Sequence, residues 1–274
     1  MSLLLGIPRA AAVVARVRRR YHRIHASLLT KGLSFSLILA SVPLLFMLLV
    51  AGSFFVTPEL VDLVEAELLR FLPERVRADL TGGIERYSSN PGSLSVVTLL
   101  VFFFAVHNLF YDLQRAITIA IGNRKLRAHR ARLVALGGNA LFLVFVYAAT
   151  LVSAAGAWFA RLSDLHPRMI ALGARGLSVV MIAMVFYAVF RAGARAPLRF
   201  LPAALVSLAA SLVWQLVLAA GGALVQAAGA RFLAYGVLAW AVVFLVFMRI
   251  MAEILVHGAI FIRELALTTP AEPD

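Results

Sequence analysis

Long apolar blocks alternate with shorter polar stretches along the chain, at about 33–56, 94–119, 133–158, 176–191, 201–228 and 232–262. A helix needs roughly 20 mostly apolar residues to cross a bilayer, a length that all but the fourth block reach. Punctuation agrees with these limits. Thr57 and Pro58 read as an N-cap followed by proline at the first helical position, opening a new helix after the first block. Asn90-Pro91-Gly92-Ser93 forms a turn into the second, and Pro202 starts the fifth. Pro43 lies inside the first block and predicts a kink, which membrane helices tolerate. The pattern predicts an all-α polytopic membrane bundle of six transmembrane helices.

The stretch between the first two blocks has a different period. Leu60, Leu63, Val64, Leu68 and Phe71 recur at helical spacing up to Pro73, and Val76, Leu80 and Ile84 continue the stripe. Glu59, Asp62, Glu65, Glu67, Glu74, Asp79 and Glu85 fill much of the other face. This predicts short amphipathic helices in the first outside loop, lying on the membrane surface. They would serve either as a cap over the bundle or as a docking surface.

Composition strengthens the membrane reading. The chain is 62% hydrophobic and 14% charged, against about 25% charged for soluble domains. The net charge is +13, and only Lys31 and Lys125 among the 26 basic residues are lysine. Of these, 17 fall in the N-terminal segment, the second-to-third and fourth-to-fifth loops and the C-terminal tail, and 8 in the opposite loops. The positive-inside rule then places both termini in the cytoplasm. The expected organisation is a basic cytoplasmic segment (1–32), a transmembrane domain (33–262, with the outside segment 57–93) and a cytoplasmic tail (263–274).

The basic residues suit anionic lipid headgroups, and nucleic acid is not needed to explain them. The short apolar start precedes Arg16, Arg18, Arg19, Arg20 and Arg23, the reverse of a cleavable signal peptide. The absence of cysteine excludes disulfides and thiolate chemistry.

Ionisable groups inside spans are expensive, about 2.5–3.5 kcal/mol for a central Arg or Asp. The last block carries Arg249, Glu253 and His257, which share one helix face at four-residue steps. One reading is a structural ion pair or side chains snorkelling to the cytoplasmic interface. The other is a polar vestibule, because Asn108, Asp112, Arg115, Asn139 and Tyr187 fall at similar depth on neighbouring blocks. Asp112 and Arg115 are spaced to pair with each other.

Other polar and small residues have structural readings. His107 reads as a helix–helix hydrogen-bond partner, Trp214 and Gln215 as packing contacts, and Gly221-Gly222-Ala223 as a close helix approach. His22 and His25 form an isolated H-x-x-H step in a basic segment, so no metal or other cofactor is expected.

Four stretches together resemble the YihY/BrkB family of bacterial inner-membrane proteins, once labelled ribonuclease BN. They are Gly32 through Pro43 to Leu45; Leu113-Gln114-Arg115-Ala116-Ile117-Thr118; Pro202 to Trp214; and Tyr235-Gly236 through Gly258-Ala259. Thr118 stands where the family usually has Asn, and Ile260 where it has Glu. A role tied to that glutamate would fall here to Glu253, about two turns earlier. The resemblance implies a multi-pass protein of the bacterial inner membrane.

Nuclease chemistry usually needs clustered carboxylates with metal, or paired histidines. The acids expected on the cytoplasmic side, chiefly Asp112, Glu264, Glu272 and Asp274, are scattered, so no enzyme is expected. Two functions remain. The first is transport or handling of a lipid or other anionic amphiphile through the inner-leaflet vestibule. The alternative is a scaffold that docks an envelope protein through residues 59–87.

Overall fold

A computed structural model describes residues 6–55, 82, 96–122, 167–194, 198–234 and 236–266. Among the described residues, the elements are six helices: α1 (Gly6–Arg23), α2 (Ala26–Phe55), α3 (Val96–Ile121), α4 (Pro167–Gly193), α5 (Phe200–Ala234) and α6 (Gly236–Ala266).

Local chemistry accounts for their limits. Pro167 opens α4 at a position where its missing N–H costs nothing, and Pro202 sits in the first turn of α5. At the far end of α3, Gly122 adopts the left-handed conformation (φ 84°) and its N–H donates to the Thr118 carbonyl at 3.0 Å. His25 is also left-handed, at φ 50°, and separates α1 from α2. The two helices meet at 73°. The sharp turn is therefore at His25, and α2 continues helical through Pro43.

By length and composition, segments of α4, α5 and α6 can cross a membrane: Gly176–Gly193, Phe200–Gly221 and Ala241–Ala266. The bent pair Ala11–Arg23 and Ala26–Ser41 adds a fourth if counted as one span. These helices overlap the expected first, fourth, fifth and sixth blocks, and α3 occupies the second. The block at 133–158 and nearly all of the amphipathic stretch at 57–93 lie outside the described residues. The limits differ in two places. α2 begins seven positions earlier than the first block, and α4 reaches back to Pro167, giving the shortest expected block a full-length helix.

α6 is the centre of the packing and touches α1, α2, α3 and α5, while α4 packs on α5 and α3. Its Ala252, Val256, Ala259 and Ile260 are fully buried beside Leu33, Ile117 and Phe190. Small residues let the backbones approach closely. A Cβ at Gly258 would meet the Phe190 ring, and one at Gly221 would meet Phe247. The outer surface is apolar at Phe35, Leu39, Phe104, Leu205, Leu216 and Val246. So much exposed hydrocarbon is costly in water and suits acyl chains.

Candidate functional site

The spacing of Arg249, Glu253 and His257 puts all three on one side of α6, midway along the apolar stretch Ala241–Ala266. An Arg249 guanidinium N–H donates to Glu253 Oε1. His257 Nδ1 lies 3.0 Å from the Glu253 carbonyl and 3.3 Å from its Oε2. Two other helices complete the cluster. Thr30 of α2 donates its hydroxyl to Glu253 Oε1 at 2.9 Å. The Tyr21 hydroxyl of α1 reaches both carboxylate oxygens, at 3.2 and 3.1 Å. The Tyr21 ring stacks on His257, centroids 4.6 Å apart.

Glu253 is thus held by donors of three helices, with 26% of its side chain exposed. An ionised carboxylate offers about four lone-pair sites, and donors from α1, α2 and α6 converge on them. The cluster is not sealed, because the Arg249 and His257 side chains are 34% and 42% exposed. Among the described residues, Arg249 Nη1 is buried and has no hydrogen-bond partner. One arm of the guanidinium is held by Glu253, and the other is enclosed by the protein.

A second group of charges fastens α1 alongside. Arg20 is buried and donates to the carbonyls of Ala120 (2.9 Å) and Ile119 (3.2 Å), the end of α3. Last-turn carbonyls carry the negative end of the helix dipole, and the Ile119 carbonyl also accepts the Gly122 N–H at 3.1 Å. Arg16 lies 3.4 Å from Glu264, and Arg263 lies 4.0 Å from the same carboxylate. The sequence assigns α1 to the segment ahead of the spans. Burial, followed by the nearby Arg263 cation, lowers the Arg20 pKa. Burial, followed by the Glu253 carboxylate, raises that of Tyr21.

The remaining expected site residues do not gather at Glu253. Asp112 accepts a hydrogen bond from Ser36 of α2 at 2.6 Å, and no ion pair joins it to Arg115 among the described residues. Arg115 and Asn108 are exposed. Tyr187 packs edge-on against Phe200 at 5.8 Å. Asn139 lies outside the described residues. Sequence reasoning missed Tyr21 and Thr30. A signal existed for the first, because Val13, Val17 and Tyr21 recur at four-residue steps and mark the face of α1 that packs inward.

The other polar residues of the spans have simpler partners. Gln215 donates to Ser178 at 2.8 Å, joining α5 to α4, and Trp214 packs edge-on against Phe247. Thr118 is buried and donates to the Gly193 carbonyl at 2.9 Å, tying α3 to the end of α4. His107 stacks on Phe103, and among the described residues its buried Nδ1 has no hydrogen-bond partner. Among the described residues, no group of three or more His, Asp or Glu could hold a metal ion.

The family model described as Virulence factor BrkB matches residues 17–274, nearly the whole chain. The chain belongs to this family. Comparison with curated proteins and with solved structures gives no match. Within the BrkB match fall Tyr21, Thr30 and the α6 trio, so the cluster around Glu253 is built entirely from family-matched residues. BrkB membership, together with helices apolar enough to span, makes this an integral membrane protein.

Proposed function

We propose that this BrkB-family protein resides in a bacterial inner membrane with both termini in the cytoplasm. There it handles a lipid or other anionic amphiphile at the Glu253 cluster. The observation that carries the reading is Arg249, whose guanidinium is held by Glu253 while about a third of its side chain, 34%, stays exposed. A guanidinium fixed in this way is preorganised for phosphate or carboxylate. Its counter-charge lowers the cost of keeping it inside the bilayer when no ligand is bound. His257, adjacent and partly exposed, supplies a second polar contact. Asp112 and Ser36 form a separate polar pair between α2 and α3, which would line an approach to the site. No nucleotide-binding motif is present in the sequence, so energy for directed movement would come from a gradient or a partner.

The test is movement of headgroup-labelled phospholipid between leaflets of liposomes containing the purified protein. Wild type should accelerate the movement. An Arg249→Ala/Glu253→Ala double variant, verified as folded, should not. Equal acceleration by both proteins would remove the Glu253 cluster from the mechanism. No acceleration by either would turn attention to a scaffold acting through residues 59–87.

A further inference from the structure

α1 has two dissimilar faces. Its inner face carries Val17, Arg20 and Tyr21, and all three are engaged with the bundle. On its outer face Arg18, Arg19, His22 and Arg23 are exposed, and Val14 is 55% exposed among alanines. An open depression there is lined by Ala11, Val14, Ala15, Arg18, Arg19 and His22. The helix contains no acidic residue. The carboxylates it reaches, Glu253 and Glu264, lie on the inner side, so the outer arginines have no protein counter-charge among the described residues.

The turn at His25 sets where this face sits. α1 leaves α2 at 73°, so if α2 crosses the bilayer, α1 runs close to the membrane plane. It does so at the level where α2 begins to present Leu28 and Phe35, each 66% exposed, to acyl chains. A helix face on which arginines adjoin small apolar residues, lying near headgroup depth, matches phosphate and the glycerol and first methylenes beside it.

We propose that the outer face of α1 binds anionic phospholipid of the leaflet in which it lies, and that this contact holds Tyr21 on Glu253. Neutralising Arg18, Arg19 and Arg23 relieves their repulsion with Arg16, Arg20 and Arg263, which the inner face must bring together to dock. The lipid surface thereby completes the Glu253 cluster. This inference rests on α2 spanning the membrane and not on lipid movement by the protein, so the leaflet-transfer assay above does not decide it.

The experiment is hydrogen exchange of the full chain in nanodiscs of phosphatidylcholine alone and of phosphatidylcholine with phosphatidylglycerol, with the amides of α6 as an internal reference. With phosphatidylglycerol, α1 amides should exchange about tenfold more slowly, and the effect should shrink as salt is raised. An Arg18→Gln/Arg19→Gln/Arg23→Gln variant should lose the response to phosphatidylglycerol while α6 keeps its protection. Equal α1 exchange in the two lipids would overturn the proposal and point to an acidic cytosolic partner instead. So would a lipid response that survives salt or persists in the variant. The salt series on wild type discriminates between these outcomes even if the variant does not fold.

Discussion

Tyr21 and Glu253 stand 232 positions apart in the chain, yet the phenol hydroxyl lies 3.1 and 3.2 Å from the two carboxylate oxygens. This contact joins α1, ahead of α2, to α6, the last helix described. It makes the polar centre of α6 a property of three helices rather than of one helical face.

Replacing Tyr21 with Phe removes the hydroxyl and keeps most of the ring stacked on His257. Hydrogen bonds to charged groups contribute about 1.5–3 kcal/mol, and Tyr21 is only partly buried, so a loss of about 1 kcal/mol is expected. It should appear as faster hydrogen exchange throughout α1, with α4 and α5 unchanged. Unaltered exchange in α1 would mean that the contact does not hold the helix.

Arg20→Ala should cost more, about 1.5–3 kcal/mol, because it strips a charged donor from the buried end of α3. Gly122→Ala attacks the same place from the other side. Its φ of 84° disfavours a side chain, and a Cβ would strike the guanidinium groups of Arg20 and Arg263. Both variants should lower thermal stability in detergent and loosen α1 together with the last turn of α3. Melting curves that match wild type for either one would refute a stabilising hold of Arg20 on the end of α3.

The glycines make a graded set. A methyl group at Gly258 would stand 2.5 Å from the Phe190 ring, which has 0% exposure and nowhere to turn. Gly258→Ala should therefore destabilise by about 1–3 kcal/mol through overpacking. At Gly32 a methyl group meets nothing within 4 Å, and alanine is the better helix former by about 1 kcal/mol. Gly32→Ala should be neutral or stabilising. Thermal unfolding of the two variants side by side checks the pair, and the reverse order would contradict the packing described.

Gln114 is 5% exposed, and among the described residues both polar atoms of its side-chain amide lack a hydrogen-bond partner. Such groups pay desolvation without return, about 1–3 kcal/mol when buried. Gln114→Leu keeps the approximate shape and removes the burden, so the melting temperature should rise. A fall would show that the amide is satisfied in the membrane by water or ligand.

The parts legible in sequence are those carried by local pattern. Blocks of apolar residues identified helices wherever the described residues allow comparison, and the four-residue steps of Arg249, Glu253 and His257 placed them on one face of α6. The small residues Gly221 and Gly258 lie at close helix approaches, as such residues usually do. Asp112 illustrates the limit. Its spacing to Arg115 permits an i, i+3 pair, but a serine 76 positions away on α2 lies on its own side of α3 and takes the hydrogen bond.

The sequence by itself determined a helical membrane protein, because burial in lipid demands long apolar helices and composition alone reveals them; its BrkB character rested on four motif stretches, not on composition. It also determined the four-residue spacing that puts a carboxylate between a guanidinium and an imidazole. Only the tertiary structure decided how that carboxylate is satisfied. The left-handed turn at His25 folds α1 back across α6 and carries Tyr21 to Glu253 and Arg20 to the end of α3. Such partners depend on helix crossing and register, and no periodicity within one segment encodes which distant donor will lie within about 3 Å of a given oxygen.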